Sequence, residues 1–333
     1  MTKGKLGKTG LEVTRIGFGG IPIQRLEFDE AAAVVSKALE LGVGLIDTAR
    51  VYTDSEQKIG AALKGRHKRP VLVTKTYSRD ADGARRDVDI SLKNMCSDHI
   101  HVYLIHNPNT PELLAKCLAS GGALEGLRKA QAEGLIGFIG LSSHKPPLVK
   151  EALARGVLDV VEFPFSAIEQ SGAPLLKEAR KMGVGTIAMK PLGGGALTPG
   201  PAAIKFVLSH PVDCVIPGMQ TLKEVEENLR AEGPLSEAER QQILAEADKW
   251  KGRFCRRCEY CLSECPNKIN ITLTLLFASY STRYGLKKWA HERYAALPVH
   301  ADKCEECGKC EKKCPYELPI REMLKEAHEE LTG

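Results

Sequence analysis

No stretch of the 333-residue chain approaches the ~20 consecutive apolar residues that a membrane-spanning helix needs, so no membrane partner is expected. The opening residues, MTKGKLGKTGLEV, contain no apolar core of signal-peptide length, so a cytoplasmic location is expected. There is no basic stripe either. The net charge of +5 comes from 47 Lys and Arg set among 42 Asp and Glu, so the electrostatic footprint of a nucleic-acid binder is missing. What remains is ordinary for a soluble globular protein, at 43% apolar and 27% charged residues, with length for a full-sized core and a small second domain. In a reducing compartment, eleven cysteines point to metal rather than disulfides.

Short apolar runs recur along the first two thirds of the chain, each followed by a helix-like stretch. They are RIGFGG (15–20), GLIDTA (44–49), VLVTKT (71–76), HVYLIH (101–106), GFIGLS (137–142), DVVEFPF (159–165), GTIAMKP (185–191) and DCVIPG (213–218). Between them, patterns such as DEAAAVVSKALELG carry apolar residues at helical spacing and stop on glycine. Eight strands alternating with helices predict an α/β fold, a (β/α)8 TIM barrel. An open doubly wound sheet would need a G-x-G-x-x-G fingerprint after the first strand, and GFGGIPIQ does not supply it. A β-hairpin turning at KTG is expected before strand one, and SEAERQQILAEADKW (236–250) reads as a linking helix. Composition then changes, dividing the chain into a barrel over 1–249 and a cysteine-rich domain over 250–333.

Catalytic residues of such barrels sit where strands end, at the C-terminal face. Four polar residues land there: Asp47, Tyr52 just beyond it, Lys75 and His106. Leu45 and Asp47 share a strand face, as do Val71, Val73 and Lys75, and Val102, Leu104 and His106. Each polar residue therefore ends an apolar file that should point into the barrel. His99 and His101 come early on their strand and on its other face, where a structural role is expected.

These residues carry a resemblance. Over about residues 5–235 the chain resembles the aldo-keto reductases, whose catalytic Asp, Tyr, Lys and His match Asp47, Tyr52, Lys75 and His106 in order and setting. The segments KLGKTGLEVTRIGFGG, IGLSS and IPGM…EEN are also similar to that family. The resemblance implies an oxidoreductase that reduces a carbonyl, or oxidises the alcohol, using NAD or NADP. Tyr52 would be the general acid/base, Lys75 would favour its phenolate, Asp47 would fix Lys75, and His106 would orient the substrate oxygen.

The same resemblance implies the cofactor contacts. Ser142, Ser143 and Glu162 occupy the positions that hold the nicotinamide carboxamide, with Glu for the usual Gln and Ser143 for the usual Asn. Met189 stands where many relatives carry a stacking aromatic, and Lys190 follows it. The loop Pro191, Leu192, Gly193 to Gly195 is placed to bring backbone N–H groups to a pyrophosphate. Gly218, Glu227 and Asn228 complete the cofactor-binding positions that the resemblance implies. Gly218 and Glu224 stand where NADP-preferring relatives have Lys and Arg, while Lys223 and Arg230 are nearby, so NAD and NADP both stay open.

The tail holds CRRCEYCLSECP (255–266) and CEECGKCEKKCP (304–315), the C-x2-C-x2-C-x3-C-P spacing of bacterial two-cluster ferredoxins. By that pattern Cys255, Cys258, Cys261 and Cys314 hold one [4Fe–4S] cluster, and Cys304, Cys307, Cys310 and Cys265 the other. Tetrahedral zinc is the alternative for paired C-x-x-C. Cys96, Cys117 and Cys214 lack such spacing and are expected as buried core thiols. A helical, aromatic-rich insertion lies between the runs. The tail occupies the place of the family's C-terminal substrate loop and is read as a roof over the pocket. A relay of electrons through the clusters, with a ferredoxin or other electron-transfer partner, is the alternative. Hydride carries two electrons and each cluster one, and no flavin site splits the pair.

Overall fold

The computed structural model describes residues 1–333. An antiparallel hairpin comes first, β1 (Lys3–Lys5) with β2 (Glu12–Thr14). It turns through Gly7–Thr9 onto Gly10, whose left-handed φ of 75° favours a residue without Cβ.

Eight parallel strands follow. They are β3 (Phe18–Gly19), β4 (Leu45–Asp47), β5 (Val71–Thr76), β6 (Ile100–His106), β7 (Ile136–Ser142), β8 (Val160–Pro164), β9 (Gly185–Met189) and β10 (Cys214–Ile216). Each pairs with the next in chain order. Parallel bridges Ile16–Val215 and Gly19–Gly218 join first to last, which closes the expected barrel. Helices return the chain between strands, starting where the sequence supplies a cap. The Asp80 carboxylate accepts from Gly83 N–H at 2.8 Å, and the Thr110 hydroxyl from Leu113 N–H at 3.2 Å.

Alternation along the strands fills the interior. Leu45, Val71, Val73, Val102, Leu104, Val160, Ile187, Met189, Cys214 and Ile216 form one core with Leu6 and Val13 of the hairpin. The hairpin thus stops the end of the barrel opposite the strand C-termini. Lys8 N–H donates to Gly183 O at 2.7 Å and Gly7 N–H to the Asp213 carboxylate at 3.1 Å. Gly185 is required here, since a Cβ would come within 2.8 Å of Leu6 Cγ. Outside the strands, Glu56 is buried yet fully paired. It accepts from Arg50 (2.6 Å), Thr74 (2.8 Å), Ser91 (2.7 Å) and Asn94 (2.9 Å).

His101 is structural, as expected: its Nδ1 accepts from Leu72 N–H at 3.1 Å. Cys117 and Cys214 are buried, but Cys96 is exposed, correcting the expectation. The helix Ala81–Asn94 has just ended, and a φ of 47° at Cys96 turns its side chain outward.

Contacts divide the chain into two compact units, Met1–Leu192 with Thr198–Ile243, and Gly193–Leu197 with Leu244–Gly333. The division falls inside the helix Glu237–Lys249. In the second unit the helices Ile271–Tyr284, Lys287–Ala295 and Ile320–Thr332 build two apolar clusters. One packs Phe277, Ala290, Tyr294 and Leu331 with Tyr280 and Trp289. The other packs Ile269, Ile271, Leu318, Ile320 and Leu324 among the cysteines. Arg283 lies 4.1 Å over the Trp250 ring and 5.5 Å over Phe254. Burial there lowers its pKa to about 10.

Candidate functional site

The polar ends of the apolar files meet at the C-terminal mouth of the barrel. Asp47 ends β4, Lys75 lies one residue from the end of β5, His106 ends β6 and Ser142 ends β7; Glu162 lies on β8. His106 is in register with Ser142, and Ser142 with Glu162. Lys75 is 0% exposed, Asp47 3% and Glu162 1%, so one ammonium and two carboxyls share a space closed to bulk solvent. Lys75 Nζ donates to Asp47 Oδ1 and, at 2.9 Å, to the Thr48 carbonyl. Its distance to Glu162 Oε2 is 3.2 Å.

Burial opposes the ammonium, yet Asp47, then Glu162 and Tyr52, outweigh it and raise the Lys75 pKa. Burial raises Asp47, with Lys75 working against the rise. Glu162 is pushed well above the usual carboxylate range by burial and then by the Asp47 charge. Asp47 raises the Glu162 pKa while Glu162 lowers that of Asp47, so a single proton on the pair favours Glu162. Two carboxyls beside one cation cannot both ionise without leaving a buried net charge.

Tyr52 lies in the connection between β4 and the helix Ser55–Leu63, its N–H donating to Ala49 O at 3.0 Å. Lys75 Nζ is 5.7 Å from the centre of its ring. The His106 imidazole meets Tyr52 edge-on at 5.7 Å between centroids, and Tyr77 at 5.9 Å. Burial, then the Lys75 and Arg79 charges, lower the His106 pKa to about 3. The ring is therefore neutral near pH 7. Arg79 Nη1 holds the strand end by donating to His106 O at 2.8 Å.

Two buried polar atoms at this mouth have no hydrogen-bond partner within the chain, His106 Nδ1 and Glu162 Oε2. One can donate to or accept from a bound molecule, and the other can accept an N–H. They fit a carbonyl substrate and an amide-bearing ring.

The other residues implied for cofactor binding are distributed unevenly. Ser142 and Ser143 are buried beside Glu162, and Ser143 N–H donates to Glu162 O at 3.0 Å. Met189 belongs to the barrel core, and Lys190, at φ 59°, reaches His144 Nδ1 at 3.1 Å. Pro191 and Leu192 stay with the first unit, whereas Gly193–Leu197 belongs to the second. In that unit Gly195, at φ 79°, abuts the Tyr284 ring, and Trp250 Nε1 donates to Ala196 O at 3.0 Å. Gly218 bridges to Gly19, and Asn228 is buried with its Oδ1 against Gly200. Glu227 is exposed, 3.7 Å from Lys223. Glu224 turns onto its own helix start, accepting from Gln220 N–H (2.7 Å) and Thr221 N–H (3.1 Å) in a capping box. Its carboxylate is thereby occupied.

Sequence reasoning assigned Glu162 only to a carboxamide and missed its contact with Lys75. The signal was present, since Val160 and Glu162 share a strand face just as Val73 and Lys75 do.

The second unit gathers the cysteines across the two runs. A small cavity is lined by Cys265, Cys304, Cys307 and Cys310, with Ile269, Ile271 and Leu324 as apolar wall. Cys255 lies within electrostatic reach of Cys258 and Cys314, and Cys261 of Cys255 and Cys258. Burial pushes Cys255 up to about 11 and Cys261 up to about 12. No three Cys, His, Asp or Glu side chains converge as on a single ion. The backbone repeats as well as the spacing. Arg257 and Glu306, Glu259 and Gly308, and Lys268 and Glu317 all have positive φ, each pair offset as Cys255 is from Cys304. Left-handed residues in such turns aim backbone N–H groups into a concavity, which suits an anionic cluster ringed by thiolates.

Residues 15–201 match the sequence model of the Aldo/keto reductase family, and residues 254–319 that of a 4Fe-4S dicluster domain. An uncharacterized oxidoreductase of Bacillus subtilis is 26% identical over 218 residues, spanning 60% of this chain and 68% of that protein. L-galactose dehydrogenase of Arabidopsis thaliana is 26% identical over 275 residues, 68% of this chain and 86% of that protein. Among solved structures, the holo form of an aldo-keto reductase from Bacillus halodurans superposes with a TM-score of 0.66 at 24% identity. That likeness covers 74% of this chain and 96% of the other. With more than half its length matched, the chain belongs to the aldo/keto reductase family and continues into a 4Fe-4S dicluster domain.

Proposed function

We propose that this oxidoreductase interconverts a carbonyl and its alcohol with NAD or NADP, using Tyr52 as general acid/base. The observation that carries the reading is the buried Lys75, held by Asp47 and facing the Tyr52 ring at 5.7 Å. A cation beside a phenol favours its ionised form, which eases proton exchange with the substrate oxygen. Asp47 and the Thr48 carbonyl fix the ammonium, so its charge stays at the phenol rather than in solvent. The neutral His106 orients the substrate oxygen through a hydrogen bond without bringing a second positive charge. The cofactor would supply the hydride, and Ser142, Ser143 and Glu162 would hold its carboxamide. Two [4Fe–4S] clusters would be held by Cys255, Cys258, Cys261 and Cys314, and by Cys265, Cys304, Cys307 and Cys310. The cysteine-walled cavity and the repeated left-handed turns support that assignment.

The test is Tyr52→Phe in anaerobically prepared protein. It is expected to keep dinucleotide affinity and lose roughly two to four decades of turnover, the range of a general acid. Turnover close to wild type would remove Tyr52 from the role. The dicluster domain favours a second reading, in which the clusters relay electrons to or from a redox partner.

A further inference from the structure

The mouth of the barrel holds more acid than its chemistry needs. One ammonium, Lys75, faces two buried carboxyls, Asp47 and Glu162. Asp47 is the tighter partner, and it and the Thr48 carbonyl take two of the three Lys75 N–H groups. Glu162 Oε2 lies 3.2 Å from Nζ as an ion pair and makes no well-aligned hydrogen bond within the chain. Ser142 and Ile187 are its register neighbours on β7 and β9. The Tyr52 ring centre lies 5.7 Å from Lys75 Nζ, and burial raises the Cys214 pKa so that it stays a neutral thiol.

Charge neutrality then has two solutions. With Glu162 protonated, Asp47 and Lys75 cancel and the mouth is neutral. With Glu162 ionised, the mouth carries one net negative charge that water cannot solvate, and a cation must compensate. A hydride-donating ring has to reach the atom that Tyr52 and His106 address, which places it among these strand ends. Reduced nicotinamide is neutral and oxidised nicotinamide is a cation, so the two forms present the two conditions.

We propose that Glu162 couples the redox state of the bound nicotinamide to one proton, keeping it beside the neutral reduced ring and releasing it to solvent when the cationic oxidised ring binds. This rests on the nicotinamide reading above and extends it. Glutamine in the same place would accept the same amide N–H but could not exchange the proton. The consequence is directional. As pH rises, the oxidised cofactor is held more tightly relative to the reduced one, and alcohol oxidation is favoured over carbonyl reduction at the binding step.

The experiment is calorimetric binding of NAD⁺, NADH and their 2′-phosphorylated forms to the anaerobically prepared full chain. It is run from pH 6 to 8.5 in two buffers of different ionisation enthalpy. The oxidised form is expected to release up to one proton and to tighten toward tenfold per pH unit while Glu162 is protonated in the free protein. The reduced form is expected to stay flat, and Glu162→Gln to bind both forms without the proton. Equal proton release by wild type and Glu162→Gln, or a flat profile for the oxidised form, overturns the coupling. Failure of every dinucleotide to bind overturns the nicotinamide reading itself. Should Glu162→Gln not fold, infrared difference spectra of the wild type decide: a protonated carboxyl band lost between reduced and oxidised complexes supports the coupling, and its persistence refutes it.

Discussion

A Cβ at Gly195 would lie 2.9 Å from Cζ of Tyr284, and residue 195 sits at φ 79°. Gly195→Ala therefore meets a clash of about 1–3 kcal/mol and a left-handed backbone penalty of about 1–2 kcal/mol. Gly194, at φ 61° with its nearest neighbour atom 3.9 Å from the would-be Cβ, faces the backbone penalty alone. Denaturation of the full chain should rank Gly195→Ala clearly below Gly194→Ala, and Tyr284→Ala should narrow the gap. Equal losses at both glycines would mean that the ring contact has no energetic weight.

The acid stability of the chain should carry the signature of His106. Its folded pKa of about 3 lies below its unfolded value. Between these values the unfolded chain binds the extra proton, so stability falls as pH drops from about 6.5 toward 3. Chemical denaturation at pH 7 and pH 5 should show a smaller loss for His106→Gln than for wild type. An unchanged loss would relocate the titration elsewhere.

Iron content distinguishes the crossed ligand sets from run-by-run binding. Intact protein prepared without oxygen should hold about eight iron and eight acid-labile sulfides. Cys265→Ser and Cys304→Ala should weaken the same cluster, and Cys314→Ser the other, resolved by iron assay and paramagnetic resonance. Matching defects for Cys265→Ser and Cys255→Ala would show that each run serves itself, and stoichiometric zinc without sulfide would replace clusters altogether.

The role of the clusters is readable during turnover. If the barrel chemistry is self-sufficient, mixing the protein with reduced nicotinamide and substrate under nitrogen leaves the cluster resonances silent while substrate disappears. Signals that rise and decay at the turnover rate would instead make the clusters carriers.

Whatever depended on neighbours in sequence was legible beforehand. Asp47, Lys75 and His106 are exposed as candidates by the residues two and four positions before them, and the cysteine runs by spacing alone. Contacts set by closure of the ring were not legible. The hairpin stops the barrel through Gly7 and Asp213, which are 206 positions apart, and no local pattern announces that partnership. Glu56, with donors drawn from a loop, a strand and a helix, was invisible for the same reason. Glu162 fell between, its direction readable and its partner not. Cys96 misled because thiols are usually buried, whereas a left-handed turn decided its fate.

The five residues Gly193–Leu197 give the chain an order of assembly. They leave the ribosome early, but the indole that binds Ala196 O follows 54 positions later, roughly 3–11 s at 5–20 residues per second. Until then these residues, three of them glycines, await their partners while the barrel's last strand, β10, emerges. A cut after Ile243 would not separate the two units cleanly, because it leaves part of the second unit embedded in the sequence of the first.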